Sequence, residues 1–501
     1  MKICLTLAAR TLTELRAAML LGIQSGAHIC ELRLDTLDDV PSRHDVAELL
    51  AAKTGPVVVT VRRRCDGGAW DGPEAPRRAL LTAASELGAD WIDVEHDIAV
   101  ELESAGSARR VVSVHVMDDT PPDLTALIDE LTALGGDVVK FAVMPRSWHD
   151  VLAVLDAVRA CSVPAIGLAM GSLGVVTRVL AGRLGAPWTY AAPDHGTIGA
   201  PGQLRLRELL KLLRYPSLSE STELYAVVGD PIAHSLSPLV HNAAFIHHKR
   251  DAVYMALRVP SPDIAGLLPR LGEHGFSGFS VTLPHKSAVL QDAQGVDRVA
   301  RKAGVANTLV LRDDPDGPRW WATNTDIAAA VGAIARGLGG RSIAGQSALI
   351  LGAGGVAHAL ADGLADTGCR VTVSARRIEQ ARALAERVNG NFVHWDQRGE
   401  TRCTIVCNAT PVGMHPNVDA SPYPAAWMRP GALFFDTVYN PERTRFVLDA
   451  EARGCKVVTG VSMFVEQAAL QYELFTATSA PRELMGELVR RELAVRARGT
   501  A

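Results

Sequence analysis

The sequence contains no uninterrupted apolar run that approaches the roughly 18 residues a membrane-spanning helix needs. Gly, Pro and Ser interrupt the longest candidate, at residues 164–176, so we expect no membrane partner. The net charge is −4 and no block of like charge occurs, which argues against nucleic acid as a partner. The eight cysteines are scattered without a CxxC pair, so neither a disulfide framework nor a metal site is predicted. No signal or transit peptide precedes the strand-like MKICLTL, and we expect a cytoplasmic protein.

The first half does contain eight short apolar runs, separated by helix-length segments. Continuous apolar strands that alternate with helices are typical of a parallel sheet covered on both faces. Eight such units predict a closed (β/α)8 barrel over residues 1–214. The runs are KICLTL (2–7), HICELRLD (28–35), VVVTVR (57–62), DWIDVEH (90–96), RVVSVHV (110–116), DVVKFAV (137–143), PAIGLAM (164–170) and TYAAP (189–193).

Polar residues fall late in these strands, at the ends that form the mouth of a barrel, where the active sites of this fold lie. Lys140 lies in an apolar run, and burial lowers the pKa of a lysine, so we predict an amine nucleophile that forms a Schiff base. A snorkelling strand-end lysine is the alternative. His115, on the preceding strand, is the candidate general base or else a core histidine. Glu95, one strand earlier, is predicted to orient that imidazole.

Three arginines, Arg33, Arg62 and Arg178, are predicted to reach the same rim. Together they would hold an anionic substrate and lower the pKa of a neighbouring lysine. Each arginine alone is equally typical of a surface or an ion pair.

A Pro/Ser-rich segment, residues 215–223, is typical of an interdomain linker. A new α/β series follows it, and a third unit opens near Ser342. There an apolar strand, the G-x-G-x-x-A turn Gly352–Ala357 and a helix predict a dinucleotide site. The next strand ends in Ser374-Ala375-Arg376-Arg377 without an acidic residue, which favours the 2′-phosphate of NADP over the ribose hydroxyl of NAD.

Two further pairs in the second half are candidates for chemistry. Lys286 and Asp326 could form a proton relay to a carbonyl oxygen, or an ordinary ion pair. Ser235 and Ser237 could hydrogen-bond a substrate carboxylate, or cap a helix.

Several motifs of the first half together resemble type I 3-dehydroquinate dehydratase: ELRLD (31–35), IDVEH (92–96), SVH (113–115), VVKFAVMP (138–145), MGSLGVVTR (170–178) and APGQ (200–203). The resemblance implies that Lys140 forms the Schiff base with the C3 ketone. It also implies that His115 moves the C2 proton to the departing C1 hydroxyl while Glu95 positions it. The residues implied to bind the substrate are Glu31, Arg33, Arg62, Arg178 and Gln203. Gly199 stands where the family usually has a serine, which concerns closure over the substrate rather than the chemistry.

The second half closely resembles shikimate dehydrogenase, in GDPIAHSLSP (229–238), VTLPHK (281–286), GVANT (304–308), NTD (324–326), GAGGVA (352–357), NATPVGM (408–414), DTVYNP (436–441) and GVSMFVEQA (460–468). The resemblance implies Lys286 and Asp326 as the catalytic pair. It implies substrate contacts from Ser235, Ser237, Thr282, Asn307, Tyr439 and Gln467. The cofactor residues are predicted to be Gly352, Ala353, Gly354, Gly355, Val356, Ser374, Arg376, Arg377, Thr410 and Gly460. Ser280, Ile327 and Ala375 depart from the usual Asn, Gly and Asn.

The whole chain therefore resembles a fused dehydratase–dehydrogenase, with 3-dehydroquinate and 3-dehydroshikimate as substrates and NADPH as reductant. We expect an α/β protein whose barrel (1–214) precedes a linker (215–223) and a two-lobed dehydrogenase. Its substrate lobe would comprise 224–335 with 460–495, and its Rossmann-type lobe 340–459. One alternative is an NAD-dependent quinate/shikimate dehydrogenase with a weakened barrel. A ligand-sensing regulator is the other, disfavoured because the catalytic residues are present. No oligomeric state is predicted.

Overall fold

The structure is a computed structural model that describes residues 1–102, 106–196 and 199–499. By their contacts the residues form two units, one of 1–223 with 251–263 and one of 224–250 with 264–501. None of the helices in these described ranges is long and apolar enough to cross a membrane.

The first unit is built on parallel strands in the order β7-β6-β5-β4-β3-β2-β1-β8-β9. All eight predicted strands are confirmed: β1 (Ile3–Ala8), β2 (Ile29–Arg33), β3 (Val57–Thr60), β4 (Trp91–Glu95), β5 (Arg109–Val116), β6 (Val138–Val143), β7 (Ala165–Ala169) and β8 (Thr189–Ala192), with β9 (Leu204–Arg205) added at the edge. The helices between them are α1 (Leu12–Gln24), α2 (Arg43–Ala51), α3 (Glu74–Glu86), α4 (Leu124–Ala133), α5 (Trp148–Ala160) and α6 (Val175–Leu180).

The sheet curls into a barrel because one interior cluster takes side chains from all eight strands. Its members include Cys4, Ile29, Val58, Trp91, Val111, Val138, Ile166 and Tyr190. In the part of the chain that the structure describes, no backbone pairing joins β7 to β8. The interior is closed there by packing instead, since Ile166 and Leu168 of β7 share the cluster with Trp188 and Tyr190. The expected closed barrel thus has a seam without hydrogen-bonded strands.

The segment predicted to be a linker is ordered at its start. Tyr215 is fully buried, and its hydroxyl accepts a hydrogen bond from the Gly182 amide at 3.0 Å. Residues 251–263 are grouped with the first unit and carry β11 (Ala252–Arg258).

The second unit contains two sheets. The first runs in the order β10-β12-β14-β15-β13. Its strands are β10 (Glu223–Gly229), β12 (Phe276–Val281), β13 (Gly295–Val296), β14 (Thr308–Arg312) and β15 (Arg319–Thr323). The helices of this lobe are α7 (Ser237–His247), α8 (Leu267–Glu273), α9 (Arg298–Ala303) and α10 (Thr325–Gly337), together with α14 (Gly460–Thr476) and α15 (Arg482–Gly499).

The other sheet is parallel, in the order β18-β17-β16-β19-β20-β21. Numbered within the sheet this is 3-2-1-4-5-6, the order of a Rossmann fold, whose ligands bind where the strand order reverses. Its strands are β16 (Ser347–Leu351), β17 (Arg370–Ser374), β18 (Asn391–Phe392), β19 (Ile405–Asn408), β20 (Leu433–Asp436) and β21 (Lys456–Val458), with helices α11 (Gly355–Asp366), α12 (Ile378–Arg387) and α13 (Arg445–Ala452). The α/β fold class with a barrel and a Rossmann-type domain is confirmed.

Candidate active sites

Lys140 projects from β6 into a cavity of about 80 Å³ inside the first unit, and only 5% of the residue is exposed. Its Nζ donates to Asp93 Oδ2 at 2.8 Å and lies 4.0 Å from Glu31 Oε1. The ring of Tyr190 lies beneath the ammonium, with its centroid 4.4 Å from Nζ. The immediate neighbours of this lysine are therefore carboxylates and a π face. The sequence predicted arginines in that place.

Asp93 is the residue that sequence reasoning missed in this cavity's surroundings. It is buried on β4, and besides Lys140 it receives Arg62 Nη2 at 2.8 Å and the Ser113 hydroxyl at 2.6 Å. Burial alone would raise the pKa of Asp93, but the charges of Arg62 and Lys140 lower it well below its usual value. The signal was available, because Asp93 and Glu95 occupy alternate positions of one strand and so point to the same face.

In the described residues Glu95 does not hydrogen-bond His115, the residue it is predicted to orient. One oxygen accepts from Arg62 Nη1 at 2.7 Å and the other from Arg77 Nη1 at 2.5 Å. Two guanidinium groups attract a buried carboxylate more strongly than a neutral imidazole does, which accounts for this pairing. Arg77 lies on α3, and no sequence pattern indicated that it would be buried.

His115 faces the same cavity as Lys140 and is half-buried there. Its Nδ1 has no hydrogen-bond partner among the described residues. Burial, reinforced by the charges of Arg62 and Lys140, lowers the pKa of His115 well below its usual value. The imidazole is therefore neutral at pH 7 and able to accept a proton, as a general base must.

The three predicted arginines have different surroundings. Arg33 forms a bidentate pair with Asp35, at 2.8 and 2.6 Å. Burial disfavours the Arg62 cation, yet the charges of Asp93 and Glu95 raise its pKa overall. Arg178 is fully buried without a carboxylate partner in the described chain: its Nε is unpaired and its Nη2 donates only to the Pro201 carbonyl, at 3.2 Å. Burial lowers the pKa of Arg178 to about 10. All three guanidinium groups line the cavity, and Arg178 is the one left for an anion.

A chain of side-chain hydrogen bonds completes the rim. The Thr6 hydroxyl donates to Glu31 at 2.8 Å and accepts from Gln203 Nε2 at 3.0 Å, so both predicted binding residues are fixed through Thr6. Gly199 also lines the cavity, and a Cβ added there would lie 3.3 Å from the Thr6 methyl group. Its backbone is not in the left-handed region, so a serine could be accommodated by a small shift of Thr6.

The second unit has a larger cavity, of about 310 Å³, which contains the other lysine–aspartate pair. Lys286 Nζ lies 2.5 Å from Asp326 Oδ2, and both side chains are partly exposed to the cavity. Lys286 follows β12 and Asp326 is in the first turn of α10, whose cap is Asn324. Every predicted substrate residue of this half lines the same cavity: Ser235, Ser237, Thr282, Asn307, Tyr439 and Gln467.

Two residues of this cavity were missed as binding candidates. The Ser280 hydroxyl donates to Gln471 Oε1 at 2.8 Å, and Gln471 Nε2 donates to the Asn307 carbonyl at 3.0 Å. Gln471 therefore fixes Asn307 at the start of β14. It lies one helical turn after Gln467 on α14, and that spacing would have placed it on the same face.

The predicted dinucleotide turn lies at the C-terminal end of β16, where α11 begins. Gly352 has a φ of +120°, and a Cβ on it would lie 2.7 Å from the Ala409 carbonyl, so only glycine fits. A Cβ on Gly354 or Gly355 would meet nothing within 4 Å, which leaves the N-terminus of α11 open to a ligand. Gly354 caps this helix without a side-chain hydrogen bond, so its first amides are available to a phosphate, and Ala353 and Val356 flank them.

The remaining predicted cofactor residues have different surroundings. Ser374 ends β17 with a buried hydroxyl that has no partner in the described chain, and two exposed residues, Arg376 and Arg377, follow it. Thr410 lies against Gly352. Gly460 begins α14, where a Cβ would overlap the Val438 carbonyl. Open amides and two exposed guanidinium groups fit a dinucleotide with an additional phosphate. Among the described residues no cluster of His, Cys, Asp or Glu could hold a metal ion.

Comparison with family models divides the chain in the same way. Residues 3–220 match type I 3-dehydroquinase, and 227–309 match the shikimate dehydrogenase substrate binding domain. Residues 334–401 match shikimate / quinate 5-dehydrogenase, and 460–490 match the shikimate 5′-dehydrogenase C-terminal domain.

Individual relatives cover one half or both. A protein of Arabidopsis thaliana named bifunctional 3-dehydroquinate dehydratase/shikimate dehydrogenase, chloroplastic, is 34% identical over 93% of this chain and 80% of its own. A shikimate dehydrogenase (NADP(+)) of Moorella thermoacetica is 38% identical over 56% of this chain and 97% of its own. Among solved structures, a shikimate dehydrogenase in complex with NADP+ has a TM-score of 0.51 at 29% identity, over 55% of this chain and 97% of its own. Quinate dehydrogenase from Corynebacterium glutamicum in complex with NAD has a TM-score of 0.50 at 27% identity, over 53% and 98%.

Proposed function

The chain belongs to the family of bifunctional 3-dehydroquinate dehydratase/shikimate dehydrogenases, and on that premise we propose that it catalyses two consecutive reactions of the shikimate pathway. The barrel dehydrates 3-dehydroquinate to 3-dehydroshikimate. The second unit reduces 3-dehydroshikimate to shikimate with NADPH. One observation carries the proposal: each unit has its own cavity, and each cavity contains a lysine hydrogen-bonded to a buried or half-buried aspartate.

In the barrel, the Lys140 amine adds to the C3 ketone once it has lost a proton, and water leaves to give a protonated imine. His115, neutral and within the same cavity, takes the C2 proton while the electron pair moves toward the imine nitrogen. The C1 hydroxide then departs with the proton returned by His115, and water hydrolyses the imine to release product and amine. Arg178 would hold the substrate carboxylate, since it is the buried cation without an acidic partner in the described chain.

In the second unit, a nicotinamide coenzyme, when bound, would supply the hydride for the ketone carbon. The proton that the carbonyl oxygen needs comes from Lys286, which Asp326 holds in place at 2.5 Å. Ser235 and Ser237 lie at the start of α7, where both line the cavity, and they would bind the carboxylate, with Thr282, Asn307 and Gln467 on the hydroxyls. Arg376 and Arg377 would bind the 2′-phosphate of NADP.

For the domains we propose the boundaries that were predicted from the sequence. The two sheets of the second unit support a substrate lobe of 224–335 with 460–495 and a cofactor lobe of 340–459, because Gln471 of α14 bonds back to Asn307. A cytoplasmic location is proposed from the eight free thiols, which suit a reducing compartment.

A two-step assay on the full chain tests the proposal. 3-Dehydroquinate is added alone and the ultraviolet absorbance of the conjugated enone is followed; NADPH is then added and its oxidation is followed. We expect the enone to rise first and NADPH to be consumed afterwards. Reduction of supplied 3-dehydroshikimate without any enone formation would show an inactive barrel, and a preference for NAD would favour a quinate-type dehydrogenase.

A further inference from the structure

Five buried side chains of the barrel form one line of alternating charge: Arg77, Glu95, Arg62, Asp93 and Lys140. Consecutive members are 2.5, 2.7, 2.8 and 2.8 Å apart, in that order. None is more than 5% exposed. The line begins on α3, outside the barrel, and ends at the proposed nucleophile. Each carboxylate in it is shared between two cations.

Arg77 is held from several sides at its end of the line. Its Nη2 donates to Glu74 at 2.7 Å and its Nη1 to the Val61 carbonyl at 3.1 Å, as well as to Glu95. The guanidinium is completely buried, and it does not line the cavity. It therefore contacts no part of a substrate bound beside Lys140.

We infer that Arg77 is a positioning residue for the dehydration, acting through Glu95, Arg62 and Asp93 on Lys140. The inference rests on the proposed function of the barrel. Without Arg77, one oxygen of Glu95 is left buried with no donor, and such a group recruits the nearest cation. That cation is Arg62, whose Nη1 already bonds Glu95 and whose Nη2 bonds Asp93.

A movement of Arg62 would in turn change the contact between Asp93 and Lys140. If Arg62 turns toward Glu95, it weakens its contact with Asp93 and its 3.0 Å bond to the Ser113 hydroxyl. Asp93 then has Lys140 as its remaining cation and holds the ammonium more tightly. Attack on the ketone requires that ammonium to lose a proton and leave Asp93, so the turnover slows while substrate binding does not change.

The test compares three variants of the full chain, Arg77→Gln, Arg77→Lys and Arg78→Gln. Arg78 is a matched control: it is the next residue of α3 and also bonds Glu74, at 3.3 Å, but its side chain is 34% exposed and does not contact Glu95. The number of competent barrels in each preparation is counted by trapping the imine with borohydride in the presence of 3-dehydroshikimate. Rates are expressed per trapped site, which removes any loss through misfolding.

We expect Arg77→Gln to lower kcat for dehydration at least tenfold, with KM for 3-dehydroquinate within twofold of the original. Arg77→Lys should recover most of kcat because an ammonium can still bond Glu95, and Arg78→Gln should leave both constants unchanged. In the double variant Arg77→Gln with Glu95→Gln, the losses should not multiply, since both changes interrupt one line.

The inference is overturned if Arg77→Gln lowers the melting temperature but leaves kcat per trapped site unchanged, which would make the role structural only. It is also overturned if the loss appears in KM, or if Arg78→Gln has the same effect. Failure of the proposed function gives a different result, because the unmodified chain would then neither form the enone nor be trapped by borohydride.

Discussion

Arg178 allows the sharpest test of how the barrel binds its substrate, because its burial costs stability that only an anion can offset. The guanidinium is fully buried, and among the described residues its Nε is unpaired and its single acceptor is the Pro201 carbonyl. We predict that Arg178→Met makes the free barrel more stable and at the same time disables binding of 3-dehydroquinate.

The magnitude follows from the pKa of Arg178, which burial lowers from 12.5 to about 10. At 1.36 kcal/mol per unit, that shift corresponds to a cost of about 3 kcal/mol for the buried cation. Methionine fills a similar volume without the charge, so we expect a gain of about 1–3 kcal/mol in the free energy of unfolding. For a unit of this size the melting temperature should rise by roughly 2–10 °C.

The loss in binding should be larger than the gain in stability. Truncating one partner of a buried charge pair costs about 2–5 kcal/mol, so kcat/KM for dehydration should fall at least about 30-fold. Calorimetry of the full chain gives the stability, and the barrel's transition is the one that NADPH does not move.

Arg183 provides the control, since it is half-buried nearby and donates to the Ser219 and Thr222 carbonyls rather than lining the cavity. Arg183→Met should leave kcat/KM for dehydration unchanged and should not raise the melting temperature. A lower melting temperature in Arg178→Met, together with an unchanged kcat/KM, would refute the reasoning.

The remaining predictions concern the other groups of the two sites. Lys286→Met should lower kcat for reduction by roughly 10²–10⁴ and leave dehydration intact; equal losses in both activities would contradict separate sites. Arg376→Asp should raise KM for NADPH roughly tenfold to a hundredfold and that for NADH by less, as steady-state assays with each coenzyme would show. The folded-state pKa of His115 lies below its unfolded value of 6.5, so the unfolded chain binds the proton first and the barrel loses stability as pH falls below about 6.5. The decline of melting temperature between pH 7 and pH 5 should therefore be shallower in His115→Gln, and identical slopes would show that burial of the neutral ring does not contribute. Gly199→Ser should fold, since the added Cβ lies 3.3 Å from a movable Thr6 methyl group, and should lower KM for 3-dehydroquinate; an unchanged KM would mean that the missing hydroxyl has no role.

The strands of the barrel could be predicted because each is a continuous apolar run between helix-length segments. Burial of both faces of a parallel sheet leaves that pattern in any sequence that forms one. The unpaired seam between β7 and β8 could not be predicted, because it depends on how the large rings of Trp188 and Tyr190 pack across the interior. The buried start of the expected linker, at Tyr215, depends likewise on a partner 33 residues away, the Gly182 amide.

The residues that face each cavity could largely be predicted, but their partners could not. From the order of the strands we expected Glu95 to lie near His115. In the structure Glu95 accepts hydrogen bonds from two arginines, because Arg77 on the covering helix α3 lies within reach of it. In the sequence Arg77 is one of two adjacent arginines, and only the phase of α3 makes one buried and the other half-exposed. Ion pairs between residues 18 and 33 positions apart in the sequence depend on the folded structure and cannot be read from a local motif.

Helix α14 connects the two lobes of the second unit. At 17 residues it is about 25 Å long, and Gly460 at its first turn sits so close to the Val438 carbonyl that no side chain fits. Further along, the Gln467 carbonyl accepts from the Thr325 hydroxyl and Gln471 bonds the Asn307 carbonyl. The packing of Gly460 against Val438 thus sets the rotation of the helix, and with it the direction in which the side-chain amides of Gln467 and Gln471 face the cavity. Insertion of a single residue between Gly460 and Gln467 would turn those amides by about 100° around the helix axis, so this stretch tolerates substitution far better than any change in length.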